Sequence, residues 1–248
     1  MKNRTSRSSS QTRTIKFTKN YTSKAHGSVL AECGSTKILC TASIINSVPR
    51  FLRDAHPKQG WLTAEYSMLP GATYPRNDRE VNKGKVSGRT AEIQRLIGRS
   101  LRSCLDLKKI PDYTIAIDCD VIEADGGTRT TAINGAYVAM VLAIQKLQYK
   151  KSLQTDPLIA QVAAISTGIN KDKILVDLDY NEDSSADVDM NIVMNQEQQI
   201  IEIQGTAEKK PIAQKQLFDM LQAAETVIKN IIQLQNDTIN VPIPVDSV

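Results

Sequence analysis

The sequence predicts an α+β fold, with mixed β-sheets and helices packed against them. Three observations carry this. Residues 114–121 alternate apolar and polar side chains, the period of a half-buried strand. Residues 90–105 and 129–147 instead repeat their apolar positions every three or four residues, as amphipathic helices do. Short strand pairs joined by tight turns recur, which favours α+β over a doubly wound parallel sheet.

The elements follow in order. Residues 1–12 (MKNRTSRSSSQT) are poor in apolar side chains and are expected to form a flexible basic arm. Strands at 28–32 and 37–44 flank Cys33-Gly34-Ser35-Thr36, a hairpin turn. Residues 49–60 read as a loop, 61–66 as a further strand, and 70–88 as a long surface segment without periodicity. Thr90 is the expected N-cap of a helix whose inward face is Ile93, Leu96, Ile97, Leu101, Cys104 and Leu105. After the 114–121 strand, Asp125-Gly126-Gly127-Thr128-Arg129 leads into a second helix with Ile133, Tyr137, Met140, Val141, Ile144 and Leu147 inward. Strands are expected at 159–168 and 174–180, with Asp177 and Asp179 on the face opposite Val176 and Leu178. A hairpin at 190–194 and 200–204 follows, then a helix over about 213–235. The expected domain spans 13–237, with a frayed tail at 238–248.

Composition excludes several classes. A chain of 248 residues with 41% hydrophobic and 23% charged side chains can build its own core without staples. Four cysteines without a C-x-x-C pair and only two histidines argue against a zinc site, and reduced, packed cysteines are expected. The longest apolar run, 136–144, is nine residues, against about 20 for a membrane span. With no apolar leader at the N-terminus, a cytoplasmic protein is expected.

Charge is unevenly placed. Residues 1–24 hold seven Lys/Arg and no acid, residues 76–109 hold ten Lys/Arg against four acids, and 174–189 hold six acids and no base. Two basic blocks beside an acidic one point to a polyanion-binding face next to a carboxylate cluster. Solvated loops and helix faces produce the same pattern.

Two helix starts are candidates for anion binding. Ser87-Gly88-Arg89 opens one helix and Gly127-Thr128-Arg129 the other. Free N–H groups, the positive end of the helix dipole and an arginine fork suit a phosphate. There is no Walker A sequence, so hydrolysis of nucleoside triphosphates is disfavoured. The acidic stretch around Asp183 and Asp189 can hold Mg²⁺ through carboxylate oxygens, or donate a proton.

These pieces, with Asn20-Tyr21-Thr22, Gly60-Trp61-Leu62-Thr63-Ala64-Glu65-Tyr66, Glu92-Ile93-Gln94-Arg95-Leu96-Ile97-Gly98-Arg99, Asp118-Cys119-Asp120-Val121 and Ile201-Glu202-Ile203-Gln204-Gly205-Thr206-Ala207-Glu208, occur in the order and spacing of one family. Over roughly residues 13–235 the chain resembles bacterial ribonuclease PH. The resemblance implies a single ribonuclease PH-like domain and a homo-hexameric ring, a trimer of dimers. It implies a phosphate-dependent 3′→5′ exoribonuclease that trims tRNA precursors, with rRNA a further substrate. By position, Arg89, Gly127, Thr128 and Arg129 match the phosphate-binding residues, with inorganic phosphate as co-substrate. Asp183 and Asp189 match the pair assigned to catalysis and Mg²⁺, and Arg76 and Arg79 match RNA-contacting arginines. Departures are Gly71 where the family loop has an arginine, His26 where a glutamate is usual, and Asp187 in place of a glutamate. On the resemblance, Gly71 is expected to cost one RNA contact. The rival readings are a ring subunit that binds RNA without cleaving it and a hydrolytic metal nuclease.

Overall fold

A computed structural model describes residue 4, residues 7–209 and residues 211–240, excepting the side chain of Lys83. The fold is mixed α+β, with two sheets and four helices among the described residues. The first sheet contains β1 (Ile15–Lys19), β2 (Gly27–Cys33), β3 (Thr36–Ile45), β4 (Trp61–Met68) and β5 (Thr114–Glu123), in the order β1-β2-β3-β5-β4. Only β4 and β5 run parallel. The second contains β6 (Val162–Asn170), β7 (Lys173–Val176), β8 (Val188–Asn195) and β9 (Ile200–Ala207), all antiparallel in the order β7-β6-β8-β9. The helices are α1 (Gly88–Arg102), α2 (Thr128–Tyr149), α3 (Tyr180–Ser185) and α4 (Gln214–Asn240).

The period-2 reading of 114–121 holds. Ile115, Ile117, Cys119 and Val121 of β5 are buried, while Asp118 and Asp120 turn away from the core. Helix α1 also follows its pattern, burying Ile93, Leu96, Ile97 and Leu101. All four cysteines are buried and free. No helix among the described residues is long and apolar enough to cross a membrane.

Helix α2 departs from the one-faced reading. Every residue from Thr130 to Ile144 is buried, because the helix packs on β2 and β3 of one sheet and β6 of the other. Burial on all sides removes the polar face that amphipathic spacing requires. Its one buried side-chain amide is paired. The Asn134 side chain accepts from Ala164 N at 2.8 Å and donates to Ala164 O at 2.9 Å. Gln235 of α4 donates to Asn134 O and Val162 O, both at 3.2 Å, so this polar cross-link carries no unsatisfied amide nitrogen. At Gly135 the helix backbone meets the first sheet so closely that a Cβ would lie 2.5 Å from Ala31 Cβ and 2.8 Å from Cys40 Sγ.

Other boundaries move for local reasons. Helix α1 begins at Gly88, and its cap is Ser87, whose Oγ accepts from Thr90 N at 3.1 Å. Strand β1 appears where no strand was expected, paired with β2. The strand expected at 174–180 ends at Val176, because Asp177 takes a left-handed backbone (φ 59°) and α3 starts three residues later. The final helix continues to Asn240. The arm expected to be flexible is docked in its described part, with Arg4 donating to Val176 O at 2.6 Å and Val176 N donating to Ser9 O at 2.9 Å. The rest of that arm and the tail beyond 240 lie outside the described residues.

Gly135→Ala should destabilise the protein by about 1–3 kcal/mol in chemical denaturation, through overpacking. Helix propensity alone predicts the opposite sign, a gain of up to about 1 kcal/mol, so an unchanged or raised midpoint would refute the close approach.

Candidate anion and carboxylate site

The loop before α2 is built around one buried carboxylate. Asp177 is 1% exposed. Arg13 surrounds it, donating from its backbone N to Oδ2 at 2.7 Å, from Nε to Oδ2 at 2.9 Å and from Nη2 to Oδ1 at 2.6 Å. Arg7 Nη1 adds a contact to Oδ2 at 3.1 Å. Burial opposes the Asp177 charge, but the Arg13 hydrogen bonds and charge, with Arg7, hold its pKa below the usual carboxylate range. Burial opposes the Arg13 charge as well, and Asp177 outweighs it, leaving Arg13 raised above its ordinary value. The same guanidinium donates to Asp125 O and to Gly126 O, so the ion pair holds the loop backbone as well.

Two further contacts shape the loop. Thr36 Oγ1 donates to Gly126 O at 2.7 Å and accepts from Asp125 N at 2.9 Å. Gly126 has φ 72°, and a Cβ there would lie 2.6 Å from Leu178 O and 2.6 Å from Asp179 C. Only glycine fits, so the loop lies directly on the backbone that leads into α3. Gly127, at φ 67°, is the N-cap of α2. The first-turn N–H groups that follow have no intrahelical acceptor, and the positive end of the helix dipole lies there.

Thr128 and Arg129 open α2, and Arg89 lies in the first turn of α1. Tyr66 on β4, 3% exposed, donates from Oη to Thr128 Oγ1 at 3.0 Å and fixes that hydroxyl. Arg129 is lowered from its ordinary pKa by burial and by the like charge of Arg89, which Glu92, Tyr66 and Asp189 partly offset. Its Nη2 lies 3.8 Å from Glu92 Oε2, and its Nε is buried without a hydrogen-bond partner. Two neighbouring cations, a free N–H row and a buried unpaired guanidinium nitrogen together favour an anion at this point.

The carboxylates face the same group. Asp183 is on α3, and Asp189 is on β8 opposite Gly168 and Thr206. Partial burial raises the Asp183 pKa, Asp189 raises it further, Arg129 and Arg89 pull it down, and Glu208 raises it again. Residues 89, 129, 183 and 189, from four elements, thus bear on one another electrostatically, and Thr128 adjoins Arg129. Among the described residues no three His, Cys, Asp or Glu side chains gather as a metal cage. Mg²⁺ needs fewer, since it is held by one or two carboxylates with waters and substrate phosphates, and two mutually repelling aspartates suit a divalent cation.

Arg76 and Arg79 lie elsewhere. Both are exposed in the segment between β4 and α1, and Arg76 Nη1 is 3.4 Å from Asp78 Oδ1. That segment is tied to the α1 start by Glu80, which accepts from Ser87 N at 3.2 Å and from Thr90 Oγ1 at 2.8 Å.

Sequence reasoning missed Arg13, Thr36, Tyr66 and Asp177 as site-building residues. Asp177 stood among six acids with no mark of burial, and Arg13 among the seven bases of residues 1–24, just beyond the expected arm. Part of the N-terminal basic block is withdrawn from solvent: Arg4, Arg7 and Arg13 turn inward onto Asp177 and Glu182, while Lys16 and Lys24 stay exposed.

Comparison with known proteins agrees with this architecture. A sequence model described as 3′ exoribonuclease family, domain 1, matches residues 11–144, and one for domain 2 of that family matches residues 160–227. Among solved structures, rice (Oryza sativa) Rrp46 is similar at a TM-score of 0.76 and 19% identity, covering 95% of this chain and 99% of that one. A chain of the Archaeoglobus fulgidus exosome with RNA bound to the active site is similar at a TM-score of 0.76 and 18% identity, covering 92% and 90%.

Asp177→Asn should cost about 3–5 kcal/mol, since it strips charge from a buried pair and leaves Arg13 uncompensated. Because the native Asp177 pKa is depressed, its contribution is full above the unfolded carboxylate value near pH 4 and is lost as pH falls through the lower native value. Melting curves from pH 7 to pH 2 should show the variant losing less stability than the parent over the acid limb. Equal acid losses in the two proteins would contradict the assignment.

Proposed function

The chain belongs to the 3′ exoribonuclease family, and on that premise we propose that it is an active ribonuclease PH-like phosphorolytic enzyme that shortens RNA from its 3′ end. One observation carries the reading: the arginines of two helix starts, Arg89 and Arg129, act on each other and on Asp183 at a shared place. An anion bridging two cations, next to carboxylates that can serve a leaving oxygen, is the arrangement phosphorolysis requires.

In this reading inorganic phosphate is held by Arg89, Arg129, the Thr128 hydroxyl and the Gly127 N–H. One of its oxygens attacks the phosphorus of the terminal phosphodiester. The bond from that phosphorus to the 3′ oxygen of the penultimate nucleotide breaks, and the terminal nucleotide departs as a nucleoside diphosphate. The shortened RNA takes a proton on its 3′ oxygen. Asp183, whose pKa is raised by partial burial and by Asp189, is suited to supply that proton. Alternatively, Mg²⁺ held by ionised Asp183 and Asp189 would neutralise charge on the same oxygen, in place of the proton. Arg76 and Arg79 guide the RNA backbone toward the site from the exposed segment before α1. The reaction is near balance, so nucleotide addition from diphosphates is its reverse.

We assign tRNA precursors as the substrate, with rRNA a further one, a homo-hexameric ring as the assembly and the cytoplasm as the place of action, all as the ribonuclease PH resemblance implies. The rival, a ring subunit that binds RNA without cleaving it, is disfavoured because Arg89, Arg129, Asp183 and Asp189 are all present.

Digestion of a tRNA precursor should release nucleoside diphosphates only when phosphate is added. Monophosphates formed without phosphate would establish hydrolysis, and binding without any product would establish the inactive subunit. Arg129→Ala should lower turnover by about 10²-fold or more, the scale of a lost transition-state donor, with RNA affinity little changed. An equal loss of RNA affinity would move Arg129 out of the phosphate site. Asp189→Asn should reduce turnover more than RNA affinity, and unchanged turnover would remove it from the chemistry.

A further inference from the structure

The short helix that carries Asp183 has little to hold it. Helix α3 spans six residues and, among its own residues, buries only Glu182. Its start is a capping box: Glu182 N donates to Asp179 Oδ1 at 2.9 Å, and Asp179 N donates to Glu182 Oε2 at 3.1 Å. Such a box orients a helix start but does not anchor it to the rest of the protein.

The end of α3 is tied by Asn170 Nδ2, which donates to Ser185 Oγ at 3.2 Å, and by Lys209 Nζ, which donates to Ser185 O at 2.7 Å. The carboxylates of its start are anchored instead by the N-terminal segment. Arg7 Nη2 donates to the same Glu182 Oε2 at 3.1 Å and lies 3.8 Å from Asp179 Oδ2. Arg7 Nη1 reaches Asp177 O and Oδ2, both at 3.1 Å. One guanidinium fork therefore spans both carboxylates of the box and the backbone immediately before it. Arg4 Nε lies 3.4 Å from the other oxygen of Glu182, close enough for an ion pair but without a hydrogen bond, while its Nη2 holds Gln11 O at 2.7 Å and Val176 O at 2.6 Å. The side chains of Arg4, Arg7 and Glu182 are 9%, 11% and 9% exposed, so these charges are little screened by solvent. Glu182 and Asp183 are consecutive. Holding Glu182 from behind leaves Asp183 as the next side chain, turned toward Arg129 and Asp189.

Resting on the phosphorolytic reading, we propose that Arg7, backed by Arg4, is a positioning residue: it grips the α3 capping box through Glu182 and so sets where Asp183 stands. The arm would then serve the reaction from the side of α3 away from the anion and without touching RNA.

The test uses the full chain and two readouts. Hydrogen exchange of the amides at 179–186 should accelerate in Arg7→Ala, while amides of α1 and β4 keep their rates. Well below the melting temperature, kcat for phosphate-dependent trimming should fall by about tenfold, the order expected when a reacting group is displaced by a fraction of an ångström. KM for phosphate and for RNA should stay within about twofold, because neither ligand touches the arm. Arg7→Lys keeps the charge but loses the fork, and should recover part of the lost kcat. Because Arg7 acts through Glu182, the Arg7→Ala, Glu182→Gln double variant should be no slower than the slower single variant. A lowered melting temperature with unchanged kcat would show a structural role only and overturn the proposal, as would additive losses in the double variant. Should the parent release no nucleoside diphosphate, the phosphorolytic reading fails by itself. The exchange result then decides whether Arg7 holds α3, with unchanged rates at 179–186 overturning it.

Discussion

The Arg13–Asp177 ion pair joins three parts of the protein that are far apart in sequence. It ties the N-terminal segment to the end of β7 and to the glycine loop before α2. A buried carboxylate without a partner would be among the most expensive groups in the molecule. Here Asp177 accepts from one arginine fork, one backbone N–H and a second arginine. The pair is therefore costly to break, though burying it adds little to stability by itself. What it supplies is geometry, because the same guanidinium that neutralises Asp177 also fixes carbonyls of the loop.

That geometry explains how the proposed anion site can be open and still well formed. Thr36, Gly126 and Arg13 fix the loop from within the protein, and Tyr66 fixes the Thr128 hydroxyl. None of these need meet a ligand. The groups left for a ligand are the α2 amides, Arg89 and Arg129, whose Nε is buried without a hydrogen-bond partner and whose charge Glu92 only partly offsets. Preorganisation of this kind lets a small anion meet its donors without ordering them first. On the other wall, Asp183 and Asp189 repel one another and are balanced by the two arginines. Each pair is thus uncomfortable alone and offset by the other.

Charge also acts differently from its distribution along the chain. The N-terminal basic stretch, whose first twelve residues are expected to form a flexible arm, spends Arg4, Arg7 and Arg13 on acids at 177–182. Exposed arginines such as Arg76, Arg79 and Arg89 come instead from the second basic block. Net charge is unaffected by such pairing, and only the fold separates structural from available cations.

Much of this protein was legible before any coordinates. Alternation at 114–121 and helical spacing at 90–105 reflect which side chains must leave water, a rule local enough to read along the chain. The two helix starts and the acidic stretch stood out because glycine, arginine and paired aspartates carry recognisable chemistry at those positions, and motif order identified the family. The fold alone decided the remainder. Burial of α2 on all sides depends on a second sheet closing over it, which no window of α2 residues contains. The break at Asp177 depends on two arginines more than 160 residues away in sequence, since an isolated 174–180 segment has no reason to leave the extended backbone there. Local free energies set the elements, while the placement of charge rests on pairings between distant segments that exist only once the core has formed.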